Sequence, residues 1–193
     1  GQDTTHFSIL DSEGNRVSAT LSINYPFGSG FVAAGTGILL NDEMDDFSAS
    51  PGVPNVYGLV GSDANAIAPG KRMLSSMSPT FVESNDGIAI LGTPGGSRII
   101  TMVLLAILEM QQTHDPQNWV DRPRFHHQYL PDVIQYEADA LDEQVVQKLQ
   151  GMGHKLKPLD DTYGNMHAIF FNTKTQQVTA ASDKRGIGRA LVQ

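Results

Sequence analysis

The sequence contains no cysteine among its 193 residues. This absence excludes thiol catalysis, disulfide bonds and thiolate metal sites, but it does not identify the compartment, because proteins without disulfides occur in every compartment. A long apolar segment is also missing. The longest one, within IITMVLLAILEM, is shorter than the roughly 20 residues that cross a bilayer, and Arg98 precedes it. We therefore expect neither a thiol enzyme nor a membrane span in this chain.

Basic residues are few, with 13 Lys and Arg against 21 Asp and Glu and a net charge of −8. The largest basic cluster is the pair Lys71 and Arg72, which argues against binding to a nucleic-acid backbone. The hydrophobic fraction of 40% and the charged fraction of 18% are those of an ordinary globular protein. The length favours a single domain over residues 1–193. No segment has the pattern of a signal peptide.

Alternating apolar and polar residues predict β-strands near both ends of the chain. HFSILDSEGNRVSATLSIN predicts a β-hairpin with its turn at Glu13, Gly14 and Asn15, and SPTFVESNDGIAILGT predicts a second hairpin. MHAIFFN and QQVTAAS predict a strand pair, VIQYEA predicts one strand, and GTGILL suggests a further short one.

Helical spacing appears in the middle of the chain. PGGSRIITMVLLAILEMQQ predicts a long helix, DPQNWVD predicts a short helix before Pro123, and DEQVVQKLQGMGH predicts a helix that ends at Gly151 or Gly153. Residues 41–73 show neither period, and their scattered apolar side chains favour an ordered loop that packs on the rest of the protein. Strands at both ends with helices between them predict an α+β layered fold.

A threonine near the start of the sequence, Thr4, follows Asp3 in GQDTTHFS. A lone threonine near a chain end is usually only solvated, so it is weak evidence of catalysis. One chemistry would use it. An internal threonine hydroxyl can attack the preceding carbonyl to form an ester that water cleaves, and the freed α-amine can then act as general base for the same hydroxyl. That chemistry requires cleavage between Asp3 and Thr4.

Two successive glycines, Gly95 and Gly96, open the long predicted helix in TPGGSRII. Backbone N–H groups at such a turn have no side chain to block them, so they are candidates for an oxyanion hole. A glycine-rich strand-to-helix turn without a catalytic role has the same pattern.

Two polar segments suit an amino-acid substrate. The first, LLNDEMDDFS, brings together carboxylates that would hold a cationic amine: Asp42, Glu43, Asp45 and Asp46. A solvated acidic loop is the alternative, and the spacing of an EF-hand calcium loop is absent. The second, LSSMSP, offers neighbouring hydroxyls as donors to a carboxylate, although serines are common in loops.

Adjacent histidines, His126 and His127 in RPRFHHQ, raise the question of a metal. Neighbouring side chains point to opposite sides of a strand and diverge on a helix, so the two rarely bind one ion. We favour structural hydrogen bonding and expect no metal site and no cofactor.

Taken together, these segments resemble the small subunit of bacterial γ-glutamyltranspeptidases. TTHFS, GILLNDEMDDFS, PGVPNVYGLVG, PGKRMLSSMSPT, GTPGGSRII and RPRFHHQ have the order and spacing of that family, from Thr4 to about Arg185. The resemblance implies an N-terminal nucleophile hydrolase fold, a four-layer αββα sandwich. It also implies a precursor that cleaves itself into a large and a small subunit that remain associated, with any signal peptide on the large subunit and a periplasmic or extracellular location.

The resemblance assigns the catalytic groups. Thr4 matches the nucleophile that is cleaved from Asp3. Ser22 matches a position usually occupied by threonine, whose hydroxyl assists the nucleophile. Gly95 and Gly96 match the residues whose amides bind the oxyanion.

The resemblance also assigns the substrate contacts. Glu43 and Asp46 match the residues that bind the α-amine of the glutamyl group, and Ser75 and Ser76 match the pair that binds its α-carboxylate. Asn24 matches an asparagine that helps to hold the amino-acid end, and an arginine for the carboxylate is expected on the large subunit.

Two further positions complete the comparison. Tyr57 lies in the segment that resembles the lid loop of bacterial members. Lys184 stands where members commonly have proline.

The function that follows is cleavage of the γ-glutamyl amide bond of glutathione and related compounds, with release of the acyl group to water or to an amino acid or peptide. Two alternatives stay open. One is a related acylase, of the cephalosporin acylase or poly-γ-glutamate depolymerase type. The other is an unprocessed homologue without activity that serves as a binding subunit.

Overall fold

The computed structural model describes residues 4–55 and 57–193, and this part of the chain forms nine strands and three α-helices. The strands are β1 (Thr4–Leu10), β2 (Arg16–Ser22), β3 (Thr80–Glu83), β4 (Gly87–Gly92), β5 (Phe125–His126), β6 (Ile134–Tyr136), β7 (Leu156–Pro158), β8 (His167–Asn172) and β9 (Gln177–Ser182). The helices are α1 (Ile99–Met110), α2 (Pro116–Asp121) and α3 (Glu143–Gly151). The α+β class predicted from the sequence is confirmed.

Strands β1 and β2 form the predicted antiparallel hairpin, in which Thr4 pairs with Ser22 and Leu10 with Arg16. Successive side chains on a strand point to opposite faces. One face of the hairpin is therefore polar, and it carries Thr4 and Ser22 at its end. The other face is apolar and exposed, with exposed fractions between 40% and 52% at Phe7, Ile9, Val17 and Leu21.

The main sheet is antiparallel, with the strand order β3-β4-β8-β9. It combines the second predicted hairpin with the predicted strand pair near the end of the chain. One face carries the core, in which Leu91 and Phe170 pack with Met102 of α1 and Trp119 of α2. The Trp119 and Phe170 rings meet edge to face, with centroids 5.7 Å apart. Helices α1 and α2 therefore cover this face.

The hairpin β1–β2 packs on the opposite face of the main sheet. The Ser18 hydroxyl donates to Leu91 O at 3.1 Å and accepts from Thr80 N at 3.0 Å. A Cβ at Gly92 would lie 2.3 Å from the His6 ring, so only glycine permits this approach. The packing fixes the position of β1, and hence of Thr4, relative to the helix that follows β4.

A third sheet has the order β5-β6-β7, and its parallel pair β6–β7 is connected through α3. Helix α3 begins where predicted, since Val145 N donates to the side chain of Asp142 at 2.7 Å, and it ends at Gly151. Strands β5 and β7 were not predicted from the sequence.

The segment from residue 41 to 73 is largely irregular, as expected, and contains two 3-10 turns, Glu43–Asp46 and Asp63–Asn65. The strand suggested for GTGILL is wrong. Only an isolated bridge between Val32 and Leu39 forms there, because the positive φ angles of Gly35 and Gly37 place turns where a strand would need extended backbone.

Four charged residues, three of them buried and the fourth, Arg185, with a side chain only 7% exposed, join the end of β9 to the segments before β5 and after β6. Arg124 donates to Asp183 at 2.5 Å, and Arg185 donates to Asp183 at 3.1 Å and to Glu137 at 2.8 Å. Glu137 also accepts from the backbone N–H groups of Arg124 and Tyr163, each at 3.0 Å. Each buried charge is thus paired and hydrogen-bonded, which is the condition for tolerating charge in a protein interior.

We expect Asp183→Ala to lower the free energy of unfolding by about 3–5 kcal/mol, because it leaves the buried Arg124 without its carboxylate partner. Denaturant unfolding of the wild type and the variant measures the difference. Asp86→Ala is the matched control, since Asp86 makes an exposed ion pair with Lys174. Equal stability losses in the two variants would contradict this account of the buried network.

Candidate active site

Thr4 and Ser22 place their hydroxyl oxygens 2.8 Å apart at the open end of the hairpin. The contact follows from the strand register, because the two residues are direct partners in the β1–β2 ladder. Ser22 Oγ also accepts from Asn24 N at 2.8 Å. Either hydroxyl can be the donor in the contact between Thr4 and Ser22, and the Ser22 hydroxyl also hydrogen-bonds to the Glu43 carboxyl. The arrangement is that of a nucleophile with a supporting hydroxyl.

His6, two residues after Thr4, is buried on the same face of β1 and was not singled out from the sequence. Its Nδ1 lies 2.8 Å from Thr20 Oγ1 and its Nε2 lies 3.1 Å from Ser8 Oγ. Burial, followed by the neighbouring His167, lowers the pKa of His6 to about 4, so the ring is neutral at neutral pH. It supports the nucleophile strand as a hydrogen-bonded, uncharged group. The alternation of β1 was the signal that could have placed it beside Thr4.

Glu43 and Asp46 line the same cavity as Thr4 and Ser22. Burial raises the pKa of each carboxyl, and the Asp46 charge further raises the pKa of Glu43. Two partly buried carboxylates side by side repel each other, and a cation between them relieves both the repulsion and the cost of burial. This end of the cavity is therefore suited to an ammonium group.

Ser75, Ser76 and Asn24 also line this cavity. The Ser75 hydroxyl oxygen accepts from Met77 N at 3.2 Å, which leaves the hydroxyl hydrogen free to donate. Asn24 has a positive φ of 71°, a backbone conformation that asparagine tolerates better than most residues. The predicted anion and cation contacts are thus brought to the same cavity as the nucleophile.

The turn between β4 and α1 carries Gly95 and Gly96, at φ angles of 148° and 58°. A Cβ at Gly95 would lie 2.4 Å from Met102 Cε, and a Cβ at Gly96 would lie 3.1 Å from the Tyr57 ring. Both positions therefore need glycine. Gly96 lines the Thr4 cavity, and Gly95 lines a neighbouring one. The first N–H groups of such a turn lack partners within the helix, so they can bind an oxyanion.

Tyr57 closes the cavity from the side of the 41–73 segment. Its hydroxyl lies 3.3 Å from Asn24 Oδ1 and 3.4 Å from Asn24 O, and its ring stacks on Tyr25 with centroids 5.6 Å apart. The cavity beside Thr4 has a volume of about 30 Å³. Tyr25, whose hydroxyl donates to Asp45 at 3.1 Å, had no signal in the sequence.

The family model for gamma-glutamyltranspeptidase matches residues 1–193, the whole of the sequence. This chain belongs to the gamma-glutamyltranspeptidase family. A glutathione hydrolase proenzyme of Pseudomonas aeruginosa is 50% identical over an alignment of 193 positions, and the match covers 98% of this chain and 34% of that protein. The chain therefore spans about a third of the length of this curated relative.

Solved structures agree with this family membership. A gamma-glutamyltranspeptidase from Pseudomonas nitroreducens complexed with L-DON is 49% identical, with a TM-score of 0.86 and coverage of 98% of this chain and 99% of that one. An acivicin-inhibited gamma-glutamyltranspeptidase, whose C-terminus is described as critical in autoprocessing and catalysis, is 44% identical, with a TM-score of 0.87 and coverage of 95% and 100%.

A second cavity of this gamma-glutamyltranspeptidase chain, about 300 Å³ in volume, lies on the other side of Tyr57. It is the larger of the two, yet the nucleophile lines the smaller one, so we assign the chemistry there. The second cavity is lined by Arg98, His126, Gln128 and Gln135, among others. Arg98 stacks over the Tyr163 ring at 4.4 Å and donates to Gln135 at 2.5 Å.

The two adjacent histidines of this family member point in different directions, as predicted. His126 is buried and hydrogen-bonded to Thr101 and Gln128, and His127 is half exposed and contacts Asp132 at 2.9 Å. In the described part of the chain, no cluster of three or more histidine or acidic side chains could hold a metal ion. In the same residues, no helix is long and apolar enough to cross a membrane.

Proposed function

We propose that this chain is the catalytic small subunit of an enzyme that cleaves γ-glutamyl amide bonds, including that of glutathione. The observation that carries the proposal is the 2.8 Å contact between Thr4 and Ser22 in a cavity also lined by Glu43 and Asp46. A nucleophile beside an ammonium site suits a substrate whose reacting carbonyl belongs to an amino acid. The relatives named glutathione hydrolase proenzyme support the same reading.

In the proposed reaction, Thr4 Oγ attacks the γ-carbonyl carbon and its proton passes to the free Thr4 amine. The carbonyl oxygen becomes an oxyanion that is stabilised by the amides of Gly95 and Gly96. The tetrahedral intermediate collapses, the C–N bond breaks, and the leaving amine takes the proton. Water, or the amine of an amino acid or peptide, then attacks the ester and regenerates Thr4. No metal or organic cofactor takes part in these steps.

The glutamyl group would be held at both of its charged ends. Glu43 and Asp46 bind the α-ammonium group, and Ser75 and Ser76 donate to the α-carboxylate, with Asn24 beside them. The requirement for a free amino-acid end argues for the γ-glutamyl activity over a related acylase.

We propose that residues 4–193 form one domain that a large subunit from the same precursor completes. The apolar outer face of the β1–β2 hairpin supports this, as do Ile100, Leu104 and Leu108 on α1, whose exposed fractions lie between 44% and 56%. Apolar faces of this kind mark protein contacts. A helical layer from the large subunit on the hairpin would produce the four-layer αββα sandwich, and the length of the curated relatives leaves room for such a partner.

Cleavage between Asp3 and Thr4 would release the amine that the mechanism needs. Asp3 lies outside the described residues. A relative in which autoprocessing is described supports the step, and Thr4 at the start of β1 offers a hydroxyl next to the bond to be cut. A periplasmic or extracellular location is part of the proposal. It rests on the family resemblance, and cell fractionation tests it.

One assay tests the proposed function. The assembled protein is incubated with a γ-glutamyl anilide, with and without a dipeptide acceptor, while mass spectrometry records the first residue of the small chain. We expect aniline release and a chain that begins at Thr4. An intact longer chain without turnover would support the inactive homologue instead.

We expect Asp46→Ala to raise KM for γ-glutamyl substrates by about one to three orders of magnitude, because it removes one partner of the substrate ammonium group in a partly desolvated site. Glu43→Gln should cost less, since it keeps an acceptor oxygen. Asp63→Ala is the control, because Asp63 is an exposed carboxylate in the other 3-10 turn of the 41–73 segment and does not line the Thr4 cavity. An unchanged KM in Asp46→Ala would refute the assignment.

A further inference from the structure

Gln128 is hydrogen-bonded to the segment that carries Tyr57, although the two residues are 71 positions apart. Its Nε2 donates to Tyr57 O at 2.5 Å and to Leu130 O at 2.9 Å. The next residue also packs closely, since a Cβ at Gly58 would lie 2.8 Å from Leu130 O and 3.3 Å from Gln128 Nε2. The Gln128 amide thus fixes the Tyr57 backbone against the loop that follows β5.

The orientation of the Gln128 amide is set by hydrogen bonds that begin in α1. Gln128 Oε1 lies 2.8 Å from His126 Nε2, and His126 Nδ1 lies 2.8 Å from Thr101 Oγ1. The Gln128 amide nitrogen donates to two carbonyl oxygens, so the amide oxygen faces His126. Because an amide oxygen can only accept a hydrogen bond, the hydrogen in this contact lies on His126 Nε2. Burial lowers the pKa of His126, which favours the neutral ring with Nδ1 as an acceptor. Nδ1 shares the single hydrogen of the Thr101 hydroxyl with Arg98 O, which lies 3.0 Å from Thr101 Oγ1.

The other end of Tyr57 determines the shape of the nucleophile cavity. Its hydroxyl contacts Asn24 at 3.3 Å, and its ring lies 3.1 Å from where a Cβ on Gly96 would be. The ring therefore spans the gap between the nucleophile hairpin and the glycine turn. A shift of the Tyr57 backbone would open this gap.

We propose that Gln128 is a positioning residue that holds Tyr57 over the γ-glutamyl site. The inference rests on the proposed function. Without the Gln128 contacts, the Tyr57 segment adopts open conformations, and only the closed fraction binds the γ-glutamyl group fully. The apparent dissociation constant rises by the reciprocal of that fraction. Thr4, Ser22 and the glycine turn remain in place, so the bond-forming steps are affected much less.

The first test is the kinetics of Gln128→Ala and Gln128→Glu in the assembled, processed enzyme. We expect KM for γ-glutamyl-p-nitroanilide to rise about five- to tenfold and kcat to change by less than about twofold. Gln128→Glu keeps the size and the acceptor for His126 but replaces the donor, so its KM should rise at least as much. His127→Ala is the control, because His127 is adjacent in the sequence and its ring contacts Asp132. Unchanged KM in both Gln128 variants would overturn the proposal.

A double-mutant cycle with Tyr57→Ala shows whether Gln128 acts through the Tyr57 side chain. Once the ring is absent, loss of the Gln128 contacts has little further effect, so the double variant should have the KM of Tyr57→Ala alone. If the increase in KM in the double variant were instead the product of the increases in the two single variants, Gln128 would act by another route, and the inference would be overturned.

A measurement that does not need activity separates this inference from the proposed function. Chymotrypsin cleavage after Tyr57 should be about fivefold faster in both Gln128 variants than in the wild type and in His127→Ala, because it follows the open fraction. A wild type without γ-glutamyl turnover would refute the proposed function, and the cleavage rates would still decide whether Gln128 holds the segment. Equal cleavage rates in all four proteins would refute the positioning role.

Discussion

Thr4→Ala is expected to abolish both cleavage of the precursor and turnover of γ-glutamyl substrates. One hydroxyl serves both reactions: it attacks the carbonyl of Asp3 in the precursor and the γ-carbonyl of the substrate in the mature enzyme. The Thr4 hydroxyl lies 2.8 Å from the Ser22 hydroxyl in the candidate site. Loss of a covalent nucleophile typically lowers kcat by several orders of magnitude, about 10⁶ in a well-studied serine protease. Mass spectrometry of the small chain and an anilide assay measure the two losses.

Thr5→Ala is the matched control for the nucleophile. Thr5 has the same side chain one residue further on, but it is exposed and pairs with Leu21 instead of Ser22. The Thr5→Ala precursor should be cleaved, and the resulting enzyme should be active, at close to wild-type levels. Thr4→Ser keeps the hydroxyl and should retain part of both reactions. Cleavage before residue 4 in Thr4→Ala would contradict the assignment.

The elements that the sequence predicted well are those in which short-range pattern and packing agree. The β1–β2 hairpin has a clear alternation and a strong turn at Gly14, and α1 has apolar residues at helical spacing after a glycine turn. Strands β5 and β7 contain only two and three residues. Such short strands have no readable period, and the parallel pairing of β6 with β7 depends on a contact across α3.

The candidate site was predictable in its parts but not in its assembly. The resemblance to a family singled out Thr4, Glu43, Asp46, Ser75 and Ser76, which the structure brings to one cavity. The supporting contacts were not predictable, since they join residues far apart in the sequence through side chains of common types. Tyr25 on Tyr57 and Gln128 on Tyr57 O are examples. Neither residue has a local pattern that distinguishes it from other loop residues.

A single residue added before Thr4 should remove most of the activity, even if everything else in the site is preserved. The proposed base is the free α-amine of Thr4. An amide nitrogen at that position has its lone pair delocalised into the adjacent carbonyl, so it cannot accept the proton of the hydroxyl. His6 does not offer a substitute, because its pKa of about 4 and its contacts with Thr20 and Ser8 show a buried ring engaged elsewhere.

The experiment co-expresses the large subunit with two forms of the small chain, one that begins at Thr4 and one that begins with a single alanine before Thr4. Mass spectrometry of both small chains establishes that the alanine is retained. General-base catalysis contributes about 10²–10⁴-fold, so kcat of the extended form should fall by at least about 100-fold. Binding of a γ-glutamyl inhibitor that does not react with Thr4 separates loss of the base from obstruction of the cavity, since an obstructed cavity would also lose the inhibitor. Similar specific activity in the two forms would show that the Thr4 amine is not the base.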